Sequence, residues 1–232
     1  MFTLHNGDCL PFMRSLPDKA FDLIATDPPY GVTSHEWDCL FKQEWLDEMI
    51  RISKHIAVIN AARPDVVAHM LSLSPMADRL VIWRQPVVKA GHGMIWSWQP
   101  IYIWNDGFKM WDTINIPVEK KYTHPTQKPI ALMKKIISSI ECETVFDPFS
   151  GSGTTLVSAL ELGKVVVGCE QSPEFYSIAK ARCEQAALQQ RLFTPSNNRL
   201  HMDAGDSPRQ KDLFTPEADT AEGKLPTPTP RQ

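Results

Sequence analysis

The sequence lacks most of the features that mark a protein built for a membrane, an oxidising compartment or a metal. No apolar run in its 232 residues approaches the ~18 needed to cross a bilayer. The opening residues Met1-Phe2-Thr3-Leu4-His5 have neither the basic start nor the long apolar stretch of a secretory signal. Five cysteines, an odd number with no C-x-x-C pair, argue against a disulfide framework and a zinc site, so no metal is expected. The expected compartment is the cytoplasm, with no membrane partner. Excess positive charge is missing too. Against 27 Asp and Glu stand 24 Lys and Arg, a net charge of −3, so any nucleic-acid contact must come from a local patch. Residues 193–232 hold six prolines and few large apolar side chains, six in 40 positions, and are expected to form a disordered tail.

What is present is an ordinary globular composition, 43% hydrophobic and 22% charged, at the length of one domain. The chain is organised around Thr144-Val145-Phe146-Asp147-Pro148-Phe149-Ser150-Gly151-Ser152-Gly153-Thr154-Thr155. Thr144, Val145 and Phe146 read as the end of a buried strand, which Asp147 and Pro148 interrupt, and Gly151 and Gly153 allow a tight turn. From Thr154 the pattern turns helical, with Leu156, Ala159 and Leu160 on one face. Strand, glycine turn and helix together present free backbone N–H groups to a nucleotide-like ligand. Val165-Val166-Val167-Gly168-Cys169-Glu170 is a following strand, and Glu170 lies 19 residues after Gly151, near the spacing at which an acid meets ribose hydroxyls. A phosphate loop would need lysine where Thr154 stands, and a dinucleotide fingerprint would need glycine where Leu156 stands. S-adenosylmethionine (SAM), an adenosine with an amino-acid tail and no phosphate, is the remaining ligand. The glycines alone do not separate that site from a plain strand-to-helix turn.

A second strand, residues 21–26, runs into Asp27-Pro28-Pro29-Tyr30-Gly31. Paired prolines end the strand rigidly and fix the direction of the Asp27 carboxylate and the Pro28 carbonyl. Tyr30 sets an aromatic face beside these two acceptors, at the strand end where open α/β sheets place their sites. Asp-Pro-Pro-Tyr together with Asp-Pro-Phe-Ser-Gly-Ser-Gly-Thr-Thr resembles the DNA amino-methyltransferases. The tetrapeptide comes first and the glycine loop some 120 residues later, which is similar to the β-class order of that family. His124-Pro125-Thr126-Gln127-Lys128-Pro129 is a third match.

The resemblance implies a Rossmann-like methyltransferase core, a mostly parallel twisted sheet with helices on both faces. It implies a catalytic tetrapeptide of Asp27, Pro28, Pro29 and Tyr30, acting on an exocyclic amine of a base flipped out of double-stranded DNA. SAM would lie in the loop of Asp147, Phe149, Gly151, Ser152, Gly153, Thr154 and Thr155. Glu170 would hold the ribose, Asp8 would lie by the adenine, and His124, Thr126 and Lys128 would lie against the methionine part. By itself Asp8 reads as a helix cap. An acid at the first tetrapeptide position points to the 6-amino group of adenine, and the 4-amino group of cytosine is the alternative. A non-catalytic SAM- or nucleotide-binding module is the rival from another class, and the intact tetrapeptide speaks against it.

Elsewhere the periodicity predicts helices over residues 43–53, 64–73 and 130–140, a helix opening at Ser172-Pro173-Glu174, and strands over 2–5, 55–60, 79–83 and 100–104. The methyltransferase domain is expected to occupy residues 1–192. Five of the seven tryptophans fall between Trp83 and Trp111 among an excess of basic residues. Trp83 and Trp104 read as core residues, and residues 105–123 correspond to a short target-recognition insert. So small a reading surface implies a short target unless a homodimer doubles it.

Overall fold

The computed structural model describes residues 1–31, 38–85, 97–118 and 127–193. His124, Thr126, residues 119–123 of the expected target-recognition insert and nearly all of the tail lie outside the described residues.

The described residues form fourteen elements: β1 (Phe2–Asn6), α1 (Cys9–Ser15), β2 (Phe21–Thr26), α2 (Gln43–Ile52), β3 (Ser53–Ile59), α3 (Pro64–Ser72), β4 (Arg79–Arg84), β5 (Trp98–Trp104), β6 (Thr113–Asn115), α4 (Ile130–Ile137), β7 (Thr144–Asp147), α5 (Thr154–Glu161), β8 (Val165–Glu170) and α6 (Pro173–Phe193). The strands make one sheet in the order β1-β8-β7-β2-β3-β5-β4-β6. It is parallel except where β5 runs against β3 and β4.

Alternation along the strands divides the core into two layers. Leu23, Ala25, Val145 and Val166 face α4 and α5, whereas Ile24, Phe146 and Val167 face the layer of Met13, Leu46 and Met49 from α1 and α2. Burial on both faces explains why these strands read as apolar runs instead of alternating patterns. Trp83 and Trp104 are buried, as expected, and their indole N–H groups donate to Ile116 O and Pro75 O, both at 2.8 Å.

The central pair is β2 with β7, in the register Leu23↔Val145 and Ile24↔Phe146. Side chains tie it at both ends. At the amino end Asp22 Oδ2 accepts from Glu143 N (2.9 Å) and from Thr144 N and Oγ1 (both 3.0 Å), while Lys54 Nζ sits 2.8 Å from Oδ1. Burial alone would raise Asp22, but the lysine and these donors hold it at about 2. At the carboxyl end Thr26 Oγ1 donates to Asp147 Oδ1 at 2.6 Å, out of contact with solvent.

Three differences from the sequence expectations have local causes. Helix α2 stops at Ile52, because Ser53 turns its hydroxyl back to Met49 O (2.7 Å) and passes straight into β3. Helix α4 ends at Ile137, where Ser138 N and Ser139 N close the last turn onto Lys134 O (2.8 Å) and Ile136 O (3.1 Å). Within 105–123, Thr113–Asn115 is a strand, β6, that pairs with β4 at the sheet edge and buries Ile114, and Phe108 is buried just before it. Three residues are too few for a periodic signal, so β6 was not expected.

Gly168 sits mid-strand in β8 because no side chain fits there. A Cβ would lie 2.3 Å from Ser150 Oγ, 2.8 Å from Leu156 Cδ2 and 3.0 Å from Leu4 Cδ1. Its absence lets the glycine loop and α5 rest directly on the sheet. Gly168→Ala is expected to destabilise the fold by about 1–3 kcal/mol through overpacking, read as a lower urea midpoint at unchanged m. An unaltered midpoint would show that this contact relaxes freely.

Candidate active site

Because β2 and β7 are neighbours, the turn after Thr26 and the turn after Asp147 open on the same crevice. The cavity there holds about 900 Å³, enough for a cofactor-sized molecule. Its wall includes Asp8, Asp27, Pro28, Pro29, Tyr30, Lys128, Asp147, Phe149, Gly151, Ser152, Thr154, Thr155 and Glu170. Gly153 is not on the wall. It takes a left-handed φ of +83° beneath the loop, where a Cβ would stand 3.0 Å from that of Ala179 on α6. It shapes the turn and lets α6 approach.

On the tetrapeptide side, Asp27, Tyr30 and Lys128 bond to one another. Tyr30 Oη donates to Asp27 Oδ1. Lys128 Nζ donates to Asp27 Oδ2 at 2.6 Å and to Tyr30 Oη at 2.8 Å, and stands 5.2 Å from the Tyr30 ring centroid. Burial pushes the Asp27 carboxyl up, and the Lys128 ammonium pulls against it. The turn is braced by residues that no spacing signal had marked. Asp38 Oδ1 accepts from Tyr30 N and Gly31 N, both at 2.7 Å, and Arg63 Nη2 donates to Gly31 O at 3.2 Å.

On the glycine-loop side, Glu170 joins two turns. Its Oε2 accepts from Gly151 N (2.7 Å) and its Oε1 from Ser172 N (2.8 Å). Burial raises this carboxyl while those N–H groups restrain it. Asp147 is buried, which pushes it up to about 6 despite hydrogen bonds from Thr26 Oγ1 and from Phe149 N (3.1 Å). Asp8 is the cap that its sequence position suggested, accepting from Leu10 N at 2.9 Å, and it also lines the cavity. Arg182 reaches from α6 to Ser152, donating to its carbonyl and, at 3.0 Å, to Oγ, and so clamps the loop from a helix the motif does not include. Among the described residues the buried Thr154 Oγ1 has no hydrogen-bond partner, although it is on the cavity wall. A buried hydroxyl in that condition suits a polar ligand.

The cavity therefore combines an anchored carboxylate beside an aromatic ring with a glycine loop that offers polar groups to a second molecule. Such a site brings a donor and an acceptor together. Residues 82–181 match the DNA methylase family of N6/N4 methyltransferases. The type II methyltransferase M2.MboI of Moraxella bovis is 25% identical over 78% of this chain and 87% of its own length. The putative methylase YubD of Escherichia coli K12 is 29% identical over 79% of this chain and 92% of its own. The chain is similar to DNA methyltransferases of the N6/N4 family. The fold agrees with that of a putative DNA modification methylase from Thermus thermophilus solved with S-adenosyl-L-methionine, at a TM-score of 0.59 and 19% identity over 81% of this chain and 95% of that one. The cytosine-N4-specific PvuII methyltransferase superposes with a TM-score of 0.58 at 16% identity, over 78% of this chain and 87% of its own. Among the described residues no helix is long and apolar enough to cross a membrane.

Asp147 binds its proton more tightly folded than unfolded. It therefore favours folding at low pH, and that contribution is lost as pH rises from the ordinary 3.8 through about 6. The stability of the wild type relative to Asp147→Asn should fall by about 3 kcal/mol across this window, measured by denaturant unfolding at a series of pH values. A difference independent of pH would mean that Asp147 titrates like an exposed carboxylate.

Proposed function

We propose that this chain is a DNA methyltransferase that transfers the methyl group of SAM to the 6-amino group of an adenine flipped out of double-stranded DNA. The observation that carries the reading is the placement of Asp27, held by Tyr30 and Lys128, on the wall of the cavity that the glycine loop and Glu170 also line. SAM supplies an electrophilic methyl on a sulfonium sulfur, which keeps the carbon–sulfur bonding pair as it leaves.

The chain's own residues supply the rest. An amine on a base is a weak nucleophile, since its lone pair is drawn into the ring. Asp27 accepts a hydrogen of that amine and the Pro28 carbonyl accepts the other, which localises the lone pair for attack. A carboxylate has about four acceptor positions, so Asp27 can take the amine hydrogen while it keeps the bonds to Tyr30 and Lys128. As the nitrogen gains its methyl its proton becomes acidic and passes to Asp27, or across it to water. A base inside a duplex cannot reach this pocket, and Tyr30 offers a ring for the flipped base to stack on.

On the cofactor side, Glu170 would hold the ribose hydroxyls and Asp8 would lie by the adenine ring. Thr154 and the loop Asp147, Phe149, Gly151, Ser152 and Thr155 would enclose the rest. His124, Thr126 and Lys128 are assigned to the methionine end. Glu170 already bonds Gly151 and Ser172, so it would bind ribose with its remaining lone pairs. Duplex DNA is the substrate of this reading. Arg84 and Asn115, paired in register on β4 and β6 and both exposed, are candidates to contact it.

Labelled SAM with unmethylated duplex DNA, followed by nucleoside analysis, tests the reaction and the base together. N6-methyladenine is expected, and N4-methylcytosine would overturn the base assignment. Asp27→Ala should abolish transfer, a loss of at least 10²-fold on the order expected for removing a positioned acceptor. Calorimetry should find SAM affinity nearly unchanged in that variant. Glu170→Ala should instead weaken SAM by about 1.5–3 kcal/mol for each ribose hydrogen bond lost. Undiminished SAM affinity there would take Glu170 out of the cofactor site.

A further inference from the structure

Lys128 was assigned above to the methionine end of the cofactor, but its ammonium is bonded to the tetrapeptide. We propose that Lys128 is a positioning residue of the methyl-transfer centre. By binding an oxygen of Asp27 and the phenol oxygen of Tyr30 at once, it holds the acceptor as a carboxylate and sets the ring beside it. The proposal rests on the role given to Asp27 above.

Three observations carry it. First, the Lys128 side chain is only 7% exposed, and a buried ammonium must find acceptors; two of its three hydrogens go to Asp27 Oδ2 at 2.6 Å and Tyr30 Oη at 2.8 Å. Second, Tyr30 Oη donates onward to the other Asp27 oxygen, so each of the three groups bonds to both of the others. A closed ring of this kind fixes the carboxylate plane, which a single ion pair would leave free to turn. Third, the lysine is held by a rigid element. Pro129 caps α4 directly after it, and Leu132, Met133, Ile136 and Ile137 of that helix are buried in the core.

Burial explains the need for a cation. Asp27 is largely out of water, and that drives a carboxyl to keep its proton. A protonated Asp27 loses an acceptor position. Lys128 opposes this from the lead of α4, and Tyr30 donates to the same carboxylate from its own turn. No other cation among the described residues is bonded to Asp27. In the transfer step the target nitrogen forms its bond to the methyl carbon as the carbon–sulfur bond breaks. The nitrogen then releases a proton to Asp27, and Lys128 keeps its own three throughout.

The test compares Lys128→Met with Lys128→Arg. Methyl transfer from labelled SAM to duplex DNA would be followed in single turnovers from acid to mildly alkaline pH, with SAM affinity measured by calorimetry. Lys128→Met should lower the rate near neutral pH about 10²-fold, move the acid limb of the profile to higher pH, and recover rate as pH rises. SAM affinity should fall far less than the rate. Lys128→Arg, which keeps a cation, should keep the wild-type acid limb whatever its rate. Rate and SAM affinity falling together in Lys128→Met, with the limb unmoved, would overturn the proposal and leave Lys128 a cofactor contact. So would a displaced limb in Lys128→Arg, the variant that decides if Lys128→Met does not fold. A carboxyl-carbon NMR titration of Asp27 in the folded chain reads the same displacement with no methyl transfer. A wild type inactive on all DNA would therefore count against the functional reading, while an Asp27 titration insensitive to Lys128 would count against this one.

Discussion

The hydrogen bond from Thr26 to Asp147 joins the two halves of the site. It spans the carboxyl ends of β2 and β7, and each partner directly adjoins or begins one of the functional turns. Asp22 makes the corresponding tie at the amino ends of the same strands. A parallel pair can slip in register unless side chains pin it, and a slip of one residue would turn every side chain to the opposite face. Tied at both ends, the pair holds Asp27 and the glycine loop at a fixed separation. A reaction between two bound molecules depends on that separation, because the reacting atoms must come within about 3–3.5 Å.

The electrostatics of the crevice follow from that closeness. Asp27, Asp147 and Glu170 are brought to one cavity, and burial pushes all three carboxyls upward. Each is restrained differently. Asp27 is offered an ammonium, Asp147 the hydroxyl of Thr26 and the N–H of Phe149, and Glu170 two backbone N–H groups. The residue expected to meet a reacting amine receives the full charge, and those that shape the cofactor loop receive dipoles. A cavity rich in carboxylates also suits a cofactor that carries a sulfonium, since positive charge there is stabilised in a low-dielectric setting.

Much of this was legible beforehand. The sheet strands are apolar runs that end in Asp27, Asp147 and Glu170, and the residues that end them are the ones that form the cavity wall. Gly153 was read correctly as a turn residue but not as a residue beneath the wall, because its contact with Ala179 depends on where α6 packs. Strand β6 went unread at three residues, and the ends of α2 and α4 were set by the hydroxyl of Ser53 and the turn at Ser138 and Ser139. Asp38, Arg63 and Arg182 act through backbone groups of the functional turns from sites with no motif spacing. Such contacts leave no periodic trace.

The sequence by itself determined the fold class, the two turns and the chemical class of the residues in them. These depend on local geometry: prolines that stop a strand, glycines that permit a turn, and apolar periods that select strand or helix. Tertiary structure alone decided which of those residues touch. Asp27 and Lys128 are 101 positions apart, and Thr26 and Asp147 are 121 apart. Whether such groups meet depends on strand order and helix packing. The position of the Lys128 ammonium, on the carboxylate and the tyrosine, came from the way α4 docks against the core, which no spacing along the chain encodes.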